Sequence, residues 1–230
     1  MSVSPASTSR ASTRSAKPEP TKWGDREGRT RDILDAARGQ MQGGGYLGLN
    51  MRDIARGAGV SPGTLYQYFS TKEEIFATLY AEAIEDHTAR LVPVCEHADD
   101  LEGFLVEVAT AYLDLYAAYG RHFTTWSAVM SESTAAEAGD LSPMPSELST
   151  RLRTATYDQA VLIVTTMRRI ASGRGHRLVD EPQAMPMLWA VLNGLADHVT
   201  SERHKLTRFS IDELIAFAAR TLAAGLVTRA

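Results

Sequence analysis

The richest group of chemically useful residues in the 230-residue chain lies between positions 51 and 72. Ser61, Pro62, Gly63, Thr64, Gln67 and Tyr68 are small or hydrogen-bonding, and no acidic side chain stands among them. Uncharged groups of this kind at the start of a helix can approach base edges in a DNA major groove without repelling the phosphates. Tyr66 and Tyr68 form an aromatic pair in the same run. Lys72 follows at the head of the next helix, where a cationic side chain and exposed N–H groups together can hold a phosphate.

Such residues work only if two short helices cross steeply around a tight turn, and the neighbouring positions supply that turn. Asn50 is placed to cap a helix through Met51, Ile54, Ala55 and Ala58, and Gly59 is the expected terminator in a left-handed conformation. Ala55 is small where the helices nearly touch. Val60 and Ile54 complete a small hydrophobic knot plugged by Leu65. Ser61 is the expected cap of the second helix, with Pro62 in its first turn and Leu65, Tyr66 and Phe69 at core spacing. Upstream, a helix over 27–42 is expected to stop at the triplet Gly43, Gly44 and Gly45. Downstream, Thr71 with Glu74 predicts a capping box opening a helix over 71–90.

The run from Arg31 to Tyr80 resembles the DNA-binding domain of the TetR/AcrR family of transcriptional regulators, through Gly59, Val60 and Ser61, Thr64 and Leu65, Tyr68 and Phe69, and Lys72 with Glu73. The resemblance implies an all-helical homodimer, usually a repressor, released from a palindromic operator in double-stranded DNA by a small ligand in its C-terminal part. Carried over by position, Gly63, Thr64 and Tyr68 fall where family members contact bases, and Tyr66 and Lys72 where they hold phosphates. Arg52 falls where some members reach a base or the backbone. Asn50 and Met51 depart from the hydroxyl residue usual there, which removes one phosphate contact.

The remaining periodicity is helical, with expected helices near 100–119, 121–132, 146–172, 182–203 and 210–227 and an interior loop over 133–145. The fold class is therefore all-α: a three-helix DNA-binding domain over 25–72 and a helical ligand-binding and dimerisation domain over 73–230. Residues 1–24, with six serines, three prolines and Arg10, Arg14, Lys17 and Lys22, are expected to be a disordered basic arm. The last two helices are apolar around more than one stripe and carry small residues for close approach, which predicts dimer helices. Candidate pocket residues are Tyr112, Tyr116, His122, Phe123, Trp126, Met130, Tyr157, Met167, Trp189 and Asn193. An aromatic stripe at helical spacing is also what a plain core requires. With no charged cluster among them, the expected effector is a small, mostly apolar molecule; the competing reading is the same fold controlled by a protein partner or without an inducer.

Composition narrows the remaining chemistry. Net charge is −4 overall, yet residues 1–72 carry +5 and residues 73–230 carry −9, so a basic front end is joined to an acidic body. A lone Cys95 excludes an internal disulfide and a cysteine zinc site. Six histidines show no metal-binding spacing beyond the pair His198 and Glu202, which a solvated helix face explains better. No phosphate loop or nucleophile elbow is present, so neither an enzyme nor a cofactor is expected. No apolar run is long enough to span a membrane and no leader is evident, which predicts a cytoplasmic protein.

Overall fold

The computed structural model describes residues 26–120 and 145–230. The arm expected over 1–24, the helix expected over 121–132 and nearly all of the loop expected over 133–145 lie outside the described residues. The described elements are α1 (Arg26–Gly44), α2 (Met51–Gly57), α3 (Pro62–Tyr68), α4 (Lys72–His97), α5 (Leu101–Tyr119), α6 (Ser146–Gly173), β1 (His176–Leu178), α7 (Glu181–Thr200), α8 (Ile211–Leu226) and β2 (Val227–Arg229).

Helices α1 to α3 form the small amino-terminal unit. Ile33, Leu34 and Ala37 of α1 bury against Ile54 and Ala55 of α2 and Leu65 of α3. Asn50 caps α2 by accepting the N–H groups of Arg52 at 2.9 Å and Asp53 at 3.3 Å. Gly59 has φ of +67°, a conformation that L side chains adopt only at a cost, and the chain turns there so that Val60 N–H reaches the Ala55 carbonyl at 2.9 Å. Helices α1 and α2 meet closely at Gly57, where a Cβ would come within 3.0 Å of the Ala36 Cβ. Tyr66, expected at core spacing, is instead 55% exposed, because Leu65 takes the inward position of α3 and Phe69, just past its end, the next one.

The long helix α4 joins this unit to the body. Its start is half of the expected capping box: Thr71 accepts the Glu74 N–H at 3.1 Å, but the Glu74 carboxylate takes the N–H of Ser70 at 2.7 Å rather than that of Thr71. The reciprocal box occurs at Ser210 and Glu213, opening α8. Helix α4 continues past 90 through Pro93 to His97. Its end is supported from α6, where Arg169 donates to the carbonyls of Cys95 at 2.7 Å and Ala98 at 2.8 Å. Arg151 of α6 clasps Glu85 of α4 through two hydrogen bonds, and Arg38 of α1 pairs with Glu82. In the body, α4 packs along α6 and against α5, α5 lies against α7 and α8, and their facing side chains form one core continuous with that of the amino-terminal unit.

An all-helical reading misses one element. Strands β1 and β2 pair antiparallel, with Arg177 opposite Thr228, so the final residues fold back on the corner between α6 and α7. Ala230 N–H reaches the Gly175 carbonyl at 3.1 Å and Val179 N–H the Leu226 carbonyl at 2.9 Å. Helix α7 also ends at Thr200, earlier than expected, and passes into a 3-10 turn at Arg203–Leu206.

Candidate DNA-reading head and ligand cavity

The reading head is built on α3. Ser61 Oγ accepts the Thr64 N–H at 3.0 Å and lies 2.9 Å from Thr64 Oγ1, so one residue both caps the helix and orients the hydroxyl beside it. With Leu65 fully buried, Ser61, Pro62, Gly63, Tyr66 and Gln67 remain exposed while Thr64 and Tyr68 are half-buried. Gly63, Tyr66 and Gln67 share one face at spacings of three and four.

The cations around this face differ in how they are engaged. Arg56 pairs with Asp53 at 2.6 Å and Arg38 with Asp35 and Glu82. Arg52 is exposed and makes no ion pair among the described residues. Lys72 lies over the Tyr46 ring at 4.7 Å, and Arg26 over the Tyr68 ring at 5.3 Å. The Tyr46 hydroxyl in turn donates to Glu73, and its pKa is raised by burial and by that carboxylate. Arg26 and Tyr46 escape a sequence reading because one stands at a helix start and the other in a short 3-10 turn, where periodicity carries no signal.

Behind the reading head, rings line up along α4. Tyr46 meets Phe76 edge-on at 5.1 Å, and Phe76 stacks on Tyr80 at 6.3 Å. Tyr80 reaches a cavity of about 370 Å³ in the body. Its walls come from four helices: Tyr80, Ile84 and His87 of α4, Val108, Tyr112 and Leu115 of α5, Thr156, Gln159, Ala160 and Ile163 of α6, and Met185, Pro186, Trp189 and Leu192 of α7. The lining is mainly apolar, with two polar groups. Tyr112 donates its hydroxyl to Asn193 Oδ1 at 2.9 Å, while the Asn193 amide donates to the Trp189 carbonyl at 2.9 Å. Burial pushes the Tyr112 hydroxyl up to about 12. On the opposite wall, the Gln159 amide nitrogen lies 2.8 Å from His87 Nδ1 and 3.0 Å from Thr88 Oγ1. His87 is almost wholly buried, and burial pushes its imidazole down to about 4; Arg90 adds to the shift, while the Ala111 carbonyl and Asp114 oppose it.

The candidate pocket residues scatter. Tyr112 and Trp189 line the cavity, and Asn193 stands behind Tyr112. Tyr116 is buried beside Tyr112 at 6.1 Å and lines a shallower cleft near Gly45 and Thr200. Met167 is fully buried in the core, and Tyr157 is 69% exposed, neither on the cavity wall. His122, Phe123, Trp126 and Met130 lie outside the described residues. The polar pair His87 and Gln159 is invisible to sequence reasoning, since 72 residues separate them and no local pattern joins them. Among the described residues no helix is long and apolar enough to cross a membrane.

Residues 33–79, covering α2, α3, much of α1 and only the start of α4, match the family model of bacterial regulatory proteins, tetR family. The fatty acid metabolism regulator protein of Bacillus subtilis is 33% identical over 92 residues, 40% of this chain and 42% of that protein. The chain thus spans less than half the length of the curated relatives it matches. Two solved structures share the fold at lower identity. The transcriptional regulator FadR from Bacillus subtilis, in complex with stearoyl-CoA, is 21% identical with a TM-score of 0.57, over 85% of this chain and 98% of that one. A regulator from Saccharomonospora viridis in complex with choline is 20% identical with a TM-score of 0.63, over 89% and 100%. The reading head, residues 33–79, is thus similar to the bacterial regulatory proteins of the tetR family, and the chain shares the fold of these solved regulators along most of its length.

Proposed function

We propose that this chain is a dimeric DNA-binding regulator, a repressor that a small, mostly apolar ligand releases from a palindromic operator, and not an enzyme. The observation that carries the reading is the double duty of α4. Lys72 at its start stands beside the reading head, and Tyr80, Ile84 and His87 further along it form one wall of the cavity. A ligand that binds better to the conformation unable to grip DNA weakens operator affinity tenfold for each ~1.4 kcal/mol of that preference.

The division of labour follows the chain: 25–72 reads DNA, 73–230 binds ligand and pairs, and 1–24 adds affinity without sequence preference. Base contacts fall to Gly63, Thr64, Gln67 and Tyr68 on a helix start formed by Ser61 and Pro62, and phosphate contacts to Arg52, Tyr66 and Lys72. Pairing is assigned to α7 and α8, which leave Met187 and Phe217 exposed and small Gly194 and Gly225 with open space around them. A twofold pair presents two reading helices about 34 Å apart, one DNA turn. Ligands as unlike as stearoyl-CoA and choline occur in the solved relatives, so the lining of each cavity, and not the fold, sets the effector. This cavity offers no cation among its described lining residues to meet a phosphate or carboxylate, which favours an apolar body.

The test is to select bound fragments from the source genome with purified protein and to repeat the binding with Thr64→Ala and Tyr68→Ala. Both variants should remain dimeric by gel filtration and lose specific affinity. Unchanged affinity in both would sink the assignment of α3.

A further inference from the structure

Gln159 is held in a way that fixes which of its two amide atoms remains available. Thr88 gives its only hydroxyl proton to the Ile84 carbonyl at 2.8 Å, so it faces Gln159 with a lone pair. The Gln159 atom 3.0 Å from that lone pair must donate, which makes it the amide nitrogen. The same nitrogen faces His87 Nδ1 at 2.8 Å and donates there too, so Nδ1 carries no proton and the neutral ring holds its hydrogen on Nε2. Burial keeps the ring neutral, and Nε2 itself is buried with no hydrogen-bond partner among the described residues. Both amide hydrogens are then spent on α4, and Oε1 accepts from no described residue while its side chain lines the cavity half-exposed.

We propose that Gln159 Oε1 is the effector's polar anchor: the cavity takes an uncharged, largely apolar molecule carrying a hydroxyl or N–H donor, and His87 and Thr88 are positioning residues that keep the oxygen turned toward it. This rests on the reading of the cavity as the ligand site and adds the chemical class. An anionic head would meet an acceptor oxygen and a neutral imidazole, with no described cation on the walls to offset its lost hydration. An ether or ester presents oxygen to oxygen and gains nothing at this point. A hydroxyl or amide N–H satisfies the unbonded acceptor beside mainly apolar walls, where one hydrogen bond discriminates between otherwise similar ligands.

The experiment uses the full chain and three ten-carbon probes: decan-1-ol, its isomer methyl nonyl ether, and decanoate. Binding is followed by fluorescence and thermal shift at pH 7. Decan-1-ol should bind about tenfold more tightly than the ether, as one added hydrogen bond implies, and decanoate should bind more weakly than the alcohol. In Gln159→Leu the ratio of alcohol to ether should fall to about one, with the ether's affinity retained. The wild-type protein gives a second readout independent of any variant: nitrogen-15 shifts of the His87 ring should show a bare Nδ1 and a protonated Nε2. Equal binding of alcohol and ether, a preference that survives Gln159→Leu, or a protonated Nδ1 overturns the proposal while leaving the cavity a ligand site. Failure of all three probes to bind overturns the ligand-site reading as well.

Discussion

Thr64 carries two bonds to Ser61, and this doubling separates reading from folding. Thr64→Ala removes the hydroxyl and keeps the backbone cap, so operator affinity should fall by roughly 5- to 150-fold with little change in melting temperature, the range for one base contact. Ser61→Ala removes the cap itself and should cost ~1 kcal/mol of stability in chemical denaturation. His87 gives a pH signature of a different kind. Its folded pKa, about 4, lies below the ordinary value of 6.5, so between these values the unfolded chain binds the extra proton. Stability should therefore fall as pH drops from about 6.5 toward 4, with a limiting slope of about 1.4 kcal/mol per pH unit from this group. Denaturation curves at pH 7, 5.5 and 4.5 should show that slope flattened in His87→Phe; an identical slope in both proteins would count against the buried neutral ring. The caps at Asn50 and Ser61 are legible in the sequence because each involves neighbours within three residues. The meeting of Gln159 with His87 is not, because only the packing of α6 on α4 creates it.

Among elements, the turn between α2 and α3 is the clearest in the sequence, since Ala55, Gly59, Val60 and Leu65 each meet a separate steric demand of one crossing. Gly59→Ala should destabilise the protein by about 1–2 kcal/mol, the cost of a Cβ in the left-handed region, although nothing lies within 4 Å of that Cβ. A loss well below that range would mean the turn relaxes to another conformation. The end of α4 is misleading in the sequence because Pro93 signals a stop, while Arg169, 71 residues beyond Ala98, satisfies the carbonyls at the true end. The ribbon of β1 and β2 is invisible there because three residues cannot display an alternation against a helical background. The aromatic candidates divide by tertiary context: Tyr112 reaches the cavity, Tyr116 packs beside it at 6.1 Å, and Tyr157, on another helix, turns outward.

For the whole molecule, charge and assembly make separable predictions. Deleting residues 1–24 should lower the slope of log affinity against log salt by at most about 0.9 for each phosphate that the arm neutralises, and leave the selected sequence unchanged. A change in preferred sequence would place base contacts in the arm. Phe217 is 62% exposed on α8, outside the chain's own core, so Phe217→Arg should leave helix content intact while gel filtration at micromolar concentration shows the monomer. If the variant still elutes as a dimer, pairing does not run through that face. Helix α4 extends over 26 residues, about 39 Å. His87 lies fifteen residues from Lys72, or about 22 Å along this rod. A tilt of only about 5° pivoting at His87 would carry the Lys72 end about 2 Å, and opposite tilts in a twofold pair would change the gap between the heads by about 4 Å. A gearing of this kind lets a few displaced atoms in a small cavity put two reading helices out of step with a helical repeat of about 34 Å.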